Sequence, residues 1–209
     1  RMIRAIRFEV KLGAELDSEI SKAISQQSHL LSSIPPARLY DECIKLFHNE
    51  KSYRVFERLI VTGLLKHLFN QTNNSKFIKK ALNNTSERLK TNKSVTPAFL
   101  FSVFLWDSQN KHYKKIKKRN KSNFVAMNQA SEEVISRQVK QVLMPKWLSA
   151  RVKDVWMMQH QLEKCSPIKV NELVANPRFR MAYDFLVLRS QSINPELLEK
   201  AEFWRRIQK

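Results

Sequence analysis

The sequence predicts an all-α protein, and three observations predict it. Only two glycines, Gly13 and Gly63, occur in 209 residues, too few to supply the turns of an all-β chain. Most of the seven prolines stand where a helix would begin. Between these breaks, apolar residues recur at the three- and four-residue spacing of amphipathic helices.

The first helix covers residues 1 to 12 and is stopped by Gly13. On a helical wheel Arg1, Arg4, Arg7 and Lys11 fall within about 120° of one another. Met2, Ile3, Ile6 and Val10 share the other side. A solvated basic face on a core helix accounts for this pattern, but arginines three apart also form a row of planar fork donors suited to phosphates or base edges. No Ser, Thr, Asp or Asn precedes Arg1 to cap the helix, so this start has the character of a cut end, with part of the arginines' purpose upstream.

Asp17 can cap a second helix over 17 to 32. Ile34-Pro35-Pro36 makes an extended corner, and Pro36 suits the first position of a helix over 36 to 48. That helix aligns Leu39, Cys43, Leu46 and Phe47, and sets Arg38 and Glu42 at i and i+4, close enough to pair. A long apolar helix over 52 to 69 is expected at the centre of a core. Residues 70 to 94 turn Asn-, Ser-, Thr- and Lys-rich, with one weak helix over 75 to 90. Pro97 then opens the most apolar stretch, 98 to 106, where Phe99, Phe101, Phe104 and Trp106 surround the wheel.

Seven cations, Lys111, Lys114, Lys115, Lys117, Lys118, Arg119 and Lys121, crowd into residues 111 to 121. Such a run is either an incidental solvated face or an electrostatic contact for phosphates. Tyr113 is placed to stack on a base, although one aromatic is slender support. Amphipathic helices follow over 123 to 143 and 146 to 164, separated by Met144-Pro145, and the second carries Trp147, Val152, Trp156 and Leu162. Pro167, Pro177 and Pro195 divide the remainder into helices near 169 to 175, 177 to 190 and 195 to the end. Arg205 and Arg206 suit the negative end of the last one.

The formal charge of +19, from 38 basic and 19 acidic residues, is the strongest compositional signal. It implies a polyanionic partner, most economically nucleic acid, bound in a salt-sensitive way. A hydrophobic content of 43% with twelve Phe and four Trp implies a packed core and not a disordered tail. No apolar run reaches the roughly 18 residues of a membrane span. Cys43 and Cys165 are too few for a disulfide framework, and a reducing cytoplasm is the expected home. The five histidines are scattered, no Cys-x-x-Cys or His-x-x-x-His occurs, and two glycines cannot build a phosphate loop or nucleophile elbow. No clustered carboxylates offer to hold divalent cations. The chain is expected to catalyse nothing by its own residues.

Arg1-Met2-Ile3-Arg4-Ala5-Ile6-Arg7-Phe8, followed by Lys11-Leu12-Gly13, resembles a motif of the class II nucleotidyltransferases, the bacterial poly(A) polymerases and tRNA CCA-adding enzymes. There a Glu-Asp pair, two variable residues and an Arg begin the neck helix, and the Asp and Arg read the incoming base. Ile34-Pro35-Pro36-Ala37-Arg38-Leu39-Tyr40-Asp41-Glu42 resembles the next motif, whose Arg and Glu brace the neck, in wording closer to poly(A) polymerases. Val95-Thr96-Pro97-Ala98-Phe99, Met144-Pro145-Lys146 through Val155-Trp156, and Asn176-Pro177-Arg178-Phe179 through Leu188-Arg189 lean the same way. The basic run at 111 to 121 departs from that pattern.

The resemblance implies a neck over 1–69, an RNA-binding body over 70–143 and a C-terminal helical region over 144–209. It implies that Arg1, with Arg4 and Arg7, binds the nucleotide and that Arg38 and Glu42 brace the neck. It implies the C-terminal part of an enzyme adding AMP from ATP to RNA 3′ ends in polyadenylation, with ATP and Mg2+ handled in an absent catalytic head and neither bound here. The alternatives are a fragment of a CCA-adding enzyme and a freestanding helical RNA-binding module.

Overall fold

The computed structural model describes residues 1–69, 75–119 and 122–208. Among them are twelve α-helices and short 3-10 turns, with no strand. The chain is all-α, as its composition demands. It divides into two compact units, each assembled from separated segments. The first takes residues 1–73, 82–97 and 136–144, and the second takes 74–81, 98–135 and 145–209. These units cut across the three lengths read from the sequence, because residues 70–143 contribute to both.

In the first unit, α1 (Met2–Leu12) ends at Gly13, whose φ of 71° is the left-handed conformation glycine adopts without strain. Lys51 Nζ donates to the Val10 and Lys11 carbonyls at 3.2 and 3.1 Å, satisfying the end of the helix. Asp17 caps α2 (Ser18–Gln26), accepting from the Glu19 amide at 2.7 Å. The expected continuation of that helix to residue 32 tightens instead into a 3-10 turn over Ser28–Ser33. Pro36 opens α3 (Pro36–Phe47), which buries Leu39, Cys43, Leu46 and Phe47 as the spacing predicts.

The expected long helix over 52 to 69 is interrupted. Helix α4 (Ser52–Val61) stops where Gly63 takes a φ of 68°, and Leu64, Leu65, Leu68 and Phe69 enter the core from the turn that follows. Helices α3 and α4 pack on α1 and on each other. Residues 136–144 are stitched to this unit by main-chain acceptors. Gln138 Nε2 donates to the Leu68 carbonyl and Gln141 Nε2 to that of Lys66, both at 2.8 Å, and the Leu143 amide donates to the Pro36 carbonyl at 3.0 Å.

The second unit is built on Phe185. Its ring meets Trp106 at 5.2 Å, Phe77 at 5.5 Å and Phe99 at 6.3 Å, all edge-to-face, the arrangement that the ring quadrupole favours. These residues come from α5 (Ser75–Lys90), α6 (Pro97–Phe104), α7 (Trp106–Lys117) and α11 (Phe179–Ser192). The expected single apolar helix after Pro97 is two, broken at Leu105. Helix α9 (Lys146–Lys164) packs against α11 and against α12 (Leu198–Ile207). Two indoles are buried with their N–H satisfied, Trp156 by the Ser102 carbonyl at 3.1 Å and Trp204 by that of Leu162 at 2.8 Å. Helix α8 (Asn123–Gln141) and the short α10 (Val170–Ala175) complete the set.

Candidate nucleic-acid interface

Burial of Ile3, Ile6 and Val10 decides which way α1 faces, and the arginine row accordingly lies on its outer side. Arg1, Arg4 and Lys11 are exposed, but Arg7 is drawn inward. Its Nη1 lies 3.9 Å from Glu42 Oε2, and its guanidinium stands 5.5 Å over the ring of Phe8. Glu42 also approaches Lys45 at 3.7 Å. The expected Arg38–Glu42 pair is not formed. Arg38 is exposed, and among the described residues Glu42 pairs with Arg7 and Lys45 instead. An exposed i,i+4 pair contributes only about 0.3–0.5 kcal/mol, so a cation arriving from a packed neighbouring helix readily redirects the carboxylate. Across the α1–α3 contact Arg7 thus faces Glu42 at ion-pair distance without a hydrogen bond to its Oε2, and two of the three arginines remain exposed.

The described part of the basic run continues α7. Residues 111 to 117 are the last two turns of α7. Lys111, Lys114, Lys115 and Lys118 fall on one outer stripe and all are exposed. Ile116 points the opposite way, into a small core with Ala126 and Ala130, and Tyr113 packs against it. The Tyr113 hydroxyl donates to Asn123 Oδ1 at 3.4 Å, so the ring stands between the small core and α8. Lys117 and Arg119 are exposed as well, and Lys121 lies outside the described residues.

Two buried ion pairs are not foreshadowed by the sequence pattern. Glu9, on the edge of the apolar arc of α1, meets Arg58 of α4 at 2.9 Å. The pair forms part of the wall of a cleft of about 640 Å³ that Glu15, Arg54 and Glu57 also line. In the second unit Arg189 bonds Glu163 at 2.5 Å and Gln159 Oε1 at 3.1 Å, with its guanidinium 4.7 Å over Trp106. A charge on an apolar face signals a partner, but partners 49 and 26 residues away are not given by local pattern. Among the described residues no three His, Cys, Asp or Glu side chains gather as metal ligands. Burial raises the Cys43 thiol far above its ordinary range, so it is an inert core group. No described helix is long and apolar enough to cross a membrane.

Residues 13–76 match a family model described as a probable RNA and SrmB-binding site of polymerase A, and residues 119–209 match one described as the polymerase A arginine-rich C-terminus. Poly(A) polymerase I of Salmonella typhimurium is 30% identical over 220 residues, an alignment covering all of this chain and 47% of the relative. Its counterpart in Haemophilus influenzae is 30% identical over 219 residues, covering all of this chain and 48% of the relative. The chain resembles poly(A) polymerases along its whole length. It spans about half the length of the curated relatives it matches over its whole extent. A CCA-adding enzyme of Geobacillus is 40% identical, but over 68 residues that cover 32% of this chain and 17% of the relative. The poly(A) polymerase family models cover α2 to α4 and α8 to α12, and neither reaches α1 nor the lysine stripe of α7.

Proposed function

We propose that this chain is the RNA-guiding, nucleotide-selecting part of a polynucleotide adenylyltransferase that extends RNA 3′ ends with AMP from ATP. The observation that carries the reading is the alignment to poly(A) polymerase I along the entire chain, where the match to a CCA-adding enzyme covers about a third of it. Catalytic carboxylates and the Mg2+ they hold would belong to the portion of the relatives that this chain does not cover, since the described residues offer no metal-ligand cluster. The whole enzyme would work in the cytoplasm.

Arg1 and Arg4, exposed on α1, are the groups that would read adenine. A guanidinium's fixed donors match the ring nitrogens as acceptors, and one good bidentate contact discriminates by about 1–3 kcal/mol in groove readout. Arg7, held by Glu42, would act by positioning the helix. The stripe of Lys111, Lys114, Lys115 and Lys118 would hold RNA phosphates without sequence preference.

Titrating the purified chain with fluorescent oligo(A) across a salt series tests this. Binding should weaken with salt, and replacing the four stripe lysines by Gln should flatten the log–log slope by roughly 0.7 for each phosphate no longer neutralised. The chain alone should incorporate no AMP. AMP incorporation by it, or an unchanged slope in the four-lysine variant, would overturn the corresponding assignment.

A further inference from the structure

Three aromatic rings of the described residues are strongly exposed: Phe124 at 68%, Phe8 at 50% and Trp147 at 46%. Two of them already carry an arginine, Arg7 over Phe8 at 5.5 Å and Arg151 over Trp147 at 5.2 Å. Among the described residues no arginine or lysine stands over Phe124. It stands in the first turn of α8, two residues or roughly 200° before Ala126, so it faces away from the Ile116–Ala126–Ala130 core.

The residues flanking the ring are tied by hydrogen bonds. Asn123 accepts from the Tyr113 hydroxyl at 3.4 Å, and its Nδ2 donates to His160 Nε2 at 2.9 Å. The Ser122 hydroxyl accepts from the Val125 amide at 3.3 Å. Cations converge on the same corner. Lys164 and Lys117 lie close enough to His160 to disfavour its protonation, after burial as the leading cause. Lys118 and Arg119, just after the end of α7, are exposed. The neighbouring acid, Glu163, is engaged by Arg189.

We propose that Phe124 is a stacking platform for an unpaired RNA base, at a corner whose lysines hold the adjoining phosphates. This rests on the RNA-guiding reading above and adds to it a residue that touches bases. A flat ring has few rotatable bonds to order when a base lands on it, and stacking tolerates any base because every base has a π face. The positive surroundings favour a polyanion over an apolar protein segment as the occupant.

The test compares oligo(A) with a ribose-phosphate oligomer of equal length that lacks bases, using the whole chain. Phe124→Ala should weaken oligo(A) binding roughly 5- to 150-fold and leave the base-free oligomer unchanged. Phe124→Trp should retain the affinity and show indole fluorescence quenching on binding. Equal weakening on both oligomers, or none on oligo(A), overturns the platform. The four-lysine variant separates the two ideas: if it binds poorly where Phe124→Ala does not, the stacking site falls and the RNA reading stands. If it too binds RNA as tightly as the native chain, the phosphate-tracking role of the stripe falls.

Discussion

Both compact units carry a largely buried arginine–glutamate pair, and they bury opposite ends of it. In the first the carboxylate is the hidden partner: the Glu9 side chain is 7% exposed and Arg58 is 29% exposed. In the second the guanidinium is hidden, with Arg189 at 8% and Glu163 at 33%. The supports differ accordingly. Besides Arg58, Glu9 has the Leu16 amide at a long 3.4 Å. Arg189 has an amide oxygen and an indole face in addition to its acid. Arginine lends itself to this redundancy, because five donors and a flat π-stacking surface can be satisfied by several partners at once. A buried carboxylate whose charge is balanced by one cation depends on that cation.

Arg58→Met therefore carries the largest expected cost, up to about 3–5 kcal/mol in urea unfolding, because it leaves the largely buried Glu9 carboxylate at the cleft wall without its cation. Glu163→Gln should cost about 1–2 kcal/mol, since the new amide still accepts from Arg189 and the other supports persist. If the second variant proves the less stable, the ranking of the two pairs is wrong. The double variant Glu9→Leu with Arg58→Met sharpens the point. Removing both ends should recover most of the single variant's deficit, and failure to recover would show that the pair contributes through geometry and not charge compensation.

The smallest effect is on pH dependence. Burial lowers the pKa of His48 and of His67 in the first unit, and of His160 in the second. For His48 the nearby Ile44 and Val95 backbone opposes this weakly, without a complete hydrogen bond to either ring nitrogen. A histidine with a depressed folded pKa is fully compatible with the fold above the unfolded value of 6.5. As pH falls below that value the unfolded chain binds protons first, and stability declines until the folded pKa is passed. Hydrogen exchange at pH 5.5 should consequently show a larger drop in protection in the first unit, around Leu46 and Phe47, than around Leu186. An equal drop in both would show that the histidines do not set the difference.

The helical architecture was legible because its punctuation is unambiguous. Gly13 ends α1 with a positive φ, and Pro36, Pro97 and Pro145 stand at or beside helix starts. Gly63 carried the same signal inside the expected 52–69 helix, but the apolar run around it masked the stop. The break at Leu105 had no sequence mark, because an all-round apolar segment has no preferred face from which to read a change of direction. The outer position of the α1 arginines followed from periodicity, but Arg7's attachment to Glu42 depends on how α1 packs against α3. Phe124 was hidden for the converse reason: an aromatic in an amphipathic helix is ordinarily core, and exposure is a property of the assembled helices.

The segment ownership of the two units bears on how the protein is made. Residues 136–144 supply the Gln138, Gln141 and Leu143 hydrogen bonds that complete the first unit, yet they follow 98–135, which belongs to the second. On the ribosome the helices made first therefore wait, with the Leu68 and Lys66 carbonyls lacking these donors, until Met144 emerges. Ordinary domains fold one after another as they are synthesised; here the unit begun first cannot be finished until the other is well under way.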